Sequence, residues 1–314
     1  MARARSQGGH SVDALNRAGA GELAALAERL TVAGIGERAV CACFGVASVL
    51  HAPLRAARLP LPVPLPPAAV APWLLVGGHD VPRAAARARL GDDLDRLAAL
   101  QLVAIDGDRV VPRLRLLPVG EAIAVCLPRA PGEAGSPDDS TGHLLGALGQ
   151  QRVDRWLDIG TGNAVVPLAA RGRARQVIGA DVDRAALACA RAGAALSGAG
   201  ELTLVRGDLA SAIRGRFDRI TFNAPLDGVT TLLPRFYRQA AHLLAPGGEM
   251  LVHSILGAAE PDGGAVVIAR YTPDRAMPAF GVTWWRPDRP ASRREIPVAL
   301  TPQRPHVTRA AMEA

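Results

Sequence analysis

Lysine is absent. All 36 basic side chains among the 314 residues are arginine, and they set a formal net charge of +7. Such a balance suits an anionic partner such as nucleic acid. The arginines are scattered rather than gathered in one stripe, however. The dominance of Ala, Gly, Arg and Pro is of the kind a GC-rich genome imposes. A nucleic-acid partner is therefore open but not favoured. Cysteine is scarce: Cys41, Cys43, Cys126 and Cys189 include one closely spaced pair and no second, which excludes a zinc-ligand pattern. Unbridged thiols in a reducing compartment, and no metal, are expected. Aromatic residues make up 4% of the chain, so aliphatic side chains and Ala must fill the core. Long apolar runs are missing as well. The richest, near residues 59–76, carries six prolines between Pro60 and Pro72 and cannot be a regular spanning helix. Arg3 and Arg5 are followed by polar residues, not by the apolar run of a signal peptide. The expectation is a soluble cytoplasmic protein without membrane contact. A homodimer is compatible with the sequence and not readable from it.

What is present divides into two parts. Leu15, Leu23, Leu26 and Leu30 recur at helical spacing over residues 13–30, and residues 36–51 also read as helical. Residues 60–72 read as a connector, with Trp73-Leu74-Leu75-Val76 opening another apolar element. Asp92 and Asp93 precede a short helix with Leu94, Leu97 and Leu100. The run from Leu102 to Ile105 then meets Asp106-Gly107, a strong hairpin signal, and residues 110–116 return as a strand. Glu121–Leu127 would extend that sheet. A helix followed by a two-stranded ribbon resembles a winged-helix unit, whose wing either touches DNA or serves packing. Residues 129–142, rich in Pro, Gly and Asp, read as a linker or mobile loop. The expected domains are residues 1–135 and 143–314.

From residue 152 strands and helices alternate. Strands are expected at 155–159, 176–180, 202–206, 219–223 and 249–255, with helices at 164–170, 184–196 and 231–244. Val266–Tyr271 and Gly281–Trp285 supply two closing strands. Repeated β-α units argue for a mainly parallel sheet covered by helices. Residues 286–314, rich in Pro and Arg, read as an irregular tail, with a strand possible at Ile296–Leu300.

The informative segment is Leu157-Asp158-Ile159-Gly160-Thr161-Gly162-Asn163-Ala164, placed between a strand and a helix. Glycines there allow positive φ and a close approach of backbone to ligand. Amides at a helix start can meet a polar group. A dinucleotide fingerprint would want Gly at position 165, where Val165 stands. Asp158 would repel a diphosphate but suits a sulfonium or an amino group. Asp181 closes the second strand 23 residues later, where a carboxylate can accept from both ribose hydroxyls; Val182 follows it, and Asp183 either assists or caps the next helix. Asp208, just beyond the third strand, either accepts from an adenine amine, with Leu209 packed on the ring, or forms an ordinary capped turn.

This set resembles the class I S-adenosylmethionine-dependent methyltransferases over roughly residues 143–285. Asp158–Gly162 is similar to their first motif, Asp181 to the acidic residue of the second, and Arg206-Gly207-Asp208 to the adenine-side motif. Ala164 stands where members often carry a third Gly, adding one methyl group. The resemblance implies a doubly wound, Rossmann-like α/β sheet with a smaller N-terminal helical, winged-helix-like domain. It also implies S-adenosylmethionine as cofactor, held by Asp158, Gly160, Thr161, Gly162, Asn163, Asp181, Val182, Asp208, Leu209 and Asn223.

On the acceptor side, Asn223-Ala224-Pro225-Leu226 resembles the Asn-Pro-Pro-Tyr element of methyltransferases acting on planar nitrogens. Asn223 keeps the hydrogen-bond acceptor and Pro225 one rigid position. Ala224 and Leu226 replace a proline and the aromatic stacking surface. A helical and winged part before such a core is also similar to an actinobacterial group, whose Asp-His-Val-Leu-Gly-like segment corresponds to Gly142-His143-Leu144-Leu145-Gly146, without the Asp. Transfer needs the two reactants held in line. A hydroxyl acceptor would need a general base, for which His143, His253 and Asp227 are candidates; an unprotonated amine would not. Phe236, Tyr237, Trp284 and Trp285 either line an apolar acceptor pocket or pack the core. The expected reaction is methyl transfer to a nitrogen or oxygen of a small molecule or peptide, in specialised metabolism. Modification of RNA or a translation protein, and a non-catalytic cofactor-binding role, are the alternatives.

Overall fold

The computed structural model describes residues 12–128, 136–200, 202–271, 279–298 and 307–314. Two compact units divide the chain. One comprises Met1–Asp138, Gly162–Ala169 and Arg184–Gly200; the other comprises Asp139–Thr161, Ala170–Asp183 and Glu201–Ala314.

The first unit begins with helical residues 12–17, then α1 (Ala20–Val32) and α2 (Glu37–Phe44). The expected single helix over 13–30 is broken, because Gly19 is extended (φ -66, ψ 138). The expected helix over 36–51 ends at Gly45, in the left-handed conformation, before a 3-10 turn at Val49–His51 and α3 (Ala52–Ala57). Pro72–Val76 forms a wholly buried π-helical turn. The short strand β1 (Val81–Pro82) and α4 (Arg83–Leu90) have no clear apolar period and were not anticipated. After α5 (Asp93–Ala99), β2 (Val103–Asp106) and β3 (Arg109–Pro112) form the hairpin expected at Asp106-Gly107, and β1 joins β3.

The return strand stops at Pro112, which lacks an N–H to continue the ladder. The chain instead forms a separate antiparallel pair, β4 (Arg115–Val119) with β5 (Ala122–Cys126), so the segment at 121–127 does not extend the first sheet. Two crossover helices of the repeating part, α7 (Val165–Ala169) and α8 (Arg184–Leu196), pack on β5 within this unit. Gly193 permits the contact with α8, since a Cβ there would lie 3.2 Å from the Ile123 carbonyl oxygen. The Ser197 hydroxyl accepts from the Ile123 N–H.

The second unit opens with α6 (Asp139–Ala147), which begins inside the stretch expected to be a linker; residues 129–135 of that expectation lie outside the described residues. Its sheet has eight strands: β6 (Val153–Ile159), β7 (Ala174–Asp181), β8 (Leu202–Arg206), β9 (Phe217–Asn223), β10 (Leu244–Ile255), β11 (Ala265–Tyr271), β12 (Phe280–Arg286) and β13 (Ser292–Val298). Their order is β13-β11-β12-β10-β9-β6-β7-β8. The run from β8 to β10 is parallel, β12 is antiparallel to both its neighbours, and β13 is parallel to β11. The chain order reverses between β6 and β9, which makes this a doubly wound sheet.

Among the described residues the tail is largely regular. Residues 292–298 form β13, and Val307–Glu313 form α10; the end of the expected strand at 296–300 lies outside the described residues. Among the described residues no single helix is long and apolar enough to cross a membrane. No disulfide links the four cysteines, and Cys41 and Cys43 are only half-buried.

The two sheet faces differ in chemistry. Leu157, Ile159, Ile220, Phe222, Met250 and Val252 build an apolar cluster with Leu233, Phe236 and Tyr237 of α9 (Val229–Ala241). The alternate positions Trp156, Asp158, Arg219, Thr221, Asn223, Glu249, His253 and Trp284 fall on the opposite face, where α6 packs on β9, β10 and β12. Glu249, 8% exposed, accepts from Arg219 Nε (2.7 Å), Trp284 Nε1 (2.8 Å) and Arg309 Nη1 (2.9 Å). The two guanidinium groups hold its carboxyl below the usual range against the upward push of burial. The Glu249→Gln variant leaves Arg219 buried without its counter-charge. It should cost about 3–5 kcal/mol of unfolding free energy, measured by denaturant titration.

Candidate functional site

The site is built from the carboxyl ends of β6, β7, β9 and β10, where ligands bind in open parallel sheets. β6 ends in the glycine turn. Gly160 (φ 61) and Gly162 (φ 56) both take the left-handed conformation that side chains resist. A Cβ at Gly160 would also meet the Phe222 ring at 3.0 Å, whereas one at Gly162 would meet open space. The exposed turn at Gly160 therefore presents backbone alone.

Asp158 does not face outward as a bare anion. It is 3% exposed, and both carboxylate oxygens are engaged: Oδ2 accepts from the Thr161 hydroxyl (2.6 Å) and Oδ1 from the Thr221 hydroxyl. Thr221 Oγ1 in turn accepts from Trp156 Nε1 at 2.7 Å. Burial pushes the Asp158 carboxyl up to about 6, the two hydroxyls oppose that rise, and the charge of Asp181 adds to it. Thr161 sits against Gly179 of β7, where a Cβ would come within 3.0 Å of its side chain. Asp158 thus braces the turn from beneath, a role its sequence position did not reveal.

Asp181 ends β7. Its Oδ1 accepts from the Asp183 N–H (2.8 Å), and its carbonyl accepts from the Gly207 N–H (3.0 Å). Val182 beside it is 62% exposed. Asp208 is exposed and paired with Arg235, so its carboxylate is already engaged. Leu209 has φ 51 and packs in the apolar cluster rather than standing at the surface. Asn163 is also turned inward: Nδ2 donates to Cys126 Sγ (3.2 Å), and Oδ1 accepts from the Val165 N–H at the start of α7. Burial holds that thiol up at about 12.

Asn223 and His253 are register partners at the ends of β9 and β10. α6 reaches both with residues one turn apart. Asn223 Nδ2 donates to Ser140 Oγ at 2.7 Å, and His143 Nδ1 lies 3.2 Å from His253 Nε2. The His143 ring stacks on Tyr271, with centroids 3.6 Å apart. The Tyr271 hydroxyl is 2.8 Å from that of Thr308 on α10. Burial, with His143 beside it, pushes the His253 imidazole down to about 3, so it is neutral near pH 7. Sequence reasoning missed Ser140, Thr221, Tyr271 and Thr308. The alternation of polar residues in Arg219-Ile220-Thr221-Phe222-Asn223 was the available signal for Thr221. Of the acceptor loop, Pro225, Leu226 and Asp227 are exposed and Ala224 is buried.

Two candidates do not join the site. Tyr237 is 7% exposed and packs edge-on against Phe236 and Trp285 in the core. Trp284 is bound to Glu249, toward the amino ends of the parallel strands, with Arg286 and Arg309 over its ring. Tyr237 faces the apolar cluster from α9, and β12 runs antiparallel and carries Trp284 away from the glycine turn.

Ala164 also takes the left-handed conformation, at φ 59, so the absence of a third glycine adds strain as well as a methyl group. Ala164→Gly should stabilise the chain by about 1 kcal/mol, read from the denaturation midpoint. His253 gives a pH dependence of defined sign. An unfolded histidine titrates near 6.5 and the folded one near 3, so between these values the unfolded chain binds the extra proton. Stability from this group is full above pH 6.5 and is lost as pH falls toward 3. In His253→Gln the decline from pH 6 to pH 4 should be shallower, by up to about 1.4 kcal/mol per pH unit. Equal slopes in the two proteins would refute a neutral His253.

Residues 133–255 match the family model of the methyltransferase small domain. A 106-residue stretch is 41% identical to the ribosomal protein L11 methyltransferase of Geobacter sulfurreducens, covering 33% of this chain and 33% of that protein. The chain thus spans about a third of the length of that curated relative. The N-methyltransferase NodS of Bradyrhizobium japonicum, solved in complex with S-adenosyl-L-homocysteine, aligns over 50% of this chain and 89% of that one, with 17% identity and a TM-score of 0.41. The ribosomal protein L11 methylase of Lactobacillus delbrueckii aligns over 47% and 76%, with 19% identity and a TM-score of 0.35. The matched stretch 133–255 holds the glycine turn, Asp181 and Asn223.

Proposed function

We propose that this chain is an S-adenosylmethionine-dependent methyltransferase whose acceptor is a nitrogen or oxygen of a small molecule or peptide. The observation that carries the reading is the Gly160–Gly162 turn, left-handed at both glycines and open at Gly162, at the end of β6. Asp181 ends the neighbouring strand and the exposed Val182 follows it. These residues fit a nucleoside with an amino-acid tail. The turn offers backbone, Asp181 offers a carboxylate for ribose hydroxyls, and Val182 offers an apolar surface. When bound, S-adenosylmethionine supplies a methyl group already activated on a sulfonium.

The chain's own task is then to orient the acceptor. Asn223 gives its amide N–H to Ser140, which leaves Oδ1 to accept from an acceptor N–H or O–H. His143 is the candidate base at that end of the sheet, and His253, buried and with its imidazole pushed down to about 3, positions it. A hydroxyl acceptor would use His143 and an unprotonated amine would not. Exposed Leu226 replaces a planar stacking surface and favours an aliphatic contact.

A second reading, methylation of a translation protein, draws on the 41% identity to the ribosomal protein L11 methyltransferase. RNA is less favoured. In the N-terminal unit, which we read as winged-helix-like, Arg29 and Arg87 pair with Asp93 and Asp95, and Arg89 and Arg109 donate to backbone carbonyls. Calorimetry should detect binding of S-adenosylhomocysteine and none of NAD. Asp181→Ala should weaken that binding at least tenfold, and unchanged affinity would remove the ribose role. Methyl-labelled donor offered to extracts separated into protein, RNA and metabolite fractions then decides the acceptor class. Tight donor binding without transfer to any fraction would make the chain a non-catalytic binder.

A further inference from the structure

A surplus of partly or fully buried positive charge lies on the polar face toward the amino ends of the strands, away from the glycine turn. Arg219 is 1% exposed. Its Nε donates to Glu249, and Nη2 lies within 2.7 Å of the same carboxylate. Nη1, equally buried, has no hydrogen-bond partner. Arg309 shares Glu249, and its guanidinium lies 3.3 Å from where a Cβ of Gly149 would stand. Arg173 donates to the Leu148 carbonyl, and Arg219 approaches the Gln151 carbonyl. The turn at 148–151 is therefore faced by three guanidinium groups. A fourth, Arg286, shares the Trp284 ring with Arg309; each lies 4.0 Å from the ring centroid.

The charges do not balance. Glu249 is the buried carboxylate of the cluster, and the exposed Glu313 pairs with Arg309. Four arginines thus meet two carboxylates. The Arg173 guanidinium is held below its ordinary value by burial and by Arg219, and that of Arg286 by burial and by Arg289 and Arg309. A desolvated guanidinium facing others of like charge is costly unless an anion joins it. Arg219 Nη1 and Arg286 Nε are the buried donors of the cluster left without a hydrogen-bond partner, and guanidinium N–H groups suit the oxygens of a phosphate or carboxylate.

We propose that Arg219, with Arg173, Arg286 and Arg309 near it, forms a binding site for a compact oxyanion, a phosphate or carboxylate group, that meets the unpartnered Arg219 Nη1. The site is distinct from the one read for the methyl donor, and it neutralises the cluster without covalent change. Nothing in it depends on the methyl-transfer reading.

The test uses the full chain and inorganic phosphate alone. Thermal unfolding in phosphate should occur about 2–4 °C higher than in chloride at matched ionic strength and pH. Calorimetric titration of phosphate should give a saturable isotherm. Arg173→Gln and Arg286→Gln, both at the less buried rim, should each lose most of the increment. If Arg173→Gln does not fold, Arg286→Gln carries the comparison. Equal midpoints in the two salts, no saturable binding, or an increment that survives in the variants would overturn the site.

Discussion

A single carboxylate holds the candidate site in shape. Asp158 is buried under the glycine turn with a hydroxyl on each oxygen, one from the turn itself and one from β9. It therefore ties the loop after β6 to the neighbouring strand, and through Thr221 to the Trp156 indole. A carboxylate so placed is expensive to ionise, which its raised pKa records. The expense is accepted where a loop of left-handed residues must keep one conformation. Hydroxyl donors are well suited to the task, because they satisfy the oxygens without adding a countercharge that would cancel the field toward the ligand side.

The same logic extends along the whole polar face. Glu249 near the strand starts, Asp158 in the middle and His253 at the strand ends lie on one side of the sheet. The other side is an apolar cluster under α9. An apolar face tolerates sliding of its covering helix, whereas a hydrogen-bonded one does not. α6 is held at two points one turn apart, Ser140 on Asn223 and His143 on His253. α10 adds Thr308 on Tyr271 and Arg309 on Glu249. The polar face thus fixes the register of its cover, and the apolar face supplies the bulk of the burial.

Much of this was legible in the sequence where structure is local. The helix Arg184–Leu196 and the strand Leu202–Arg206 fall where periodicity put them, and the turn glycines stand where close backbone approach needs them. Illegible were features decided by distant partners. Nothing near Thr221 announces that its hydroxyl serves Asp158, and nothing near Ser140 points to Asn223, 83 residues away. Trp284 has the character of a pocket residue in sequence; its partner Glu249 lies 35 residues back, on the neighbouring strand two positions from Leu251, the register partner of Trp284. Ala164 looked harmless because volume was weighed and backbone conformation was not. In the tail, proline and arginine content obscured the extent of the strand expected at 296–300, which starts at Ser292 and pairs with β11.

That last strand has a consequence for how the chain meets its own copies. β13 is the outermost strand on its side of the sheet, and its sequence Ser292-Arg293-Arg294-Glu295-Ile296-Pro297-Val298 is charged, exposed and interrupted by proline. Beneath it lies β11, Ala265–Tyr271, nearly all apolar and buried. Left uncovered, β11 would be an adhesive border able to recruit strands from other molecules into growing aggregates. The arginine-rich rim supplies gatekeeping against that association, so a segment of unpromising composition acts as the molecule's guard against self-assembly.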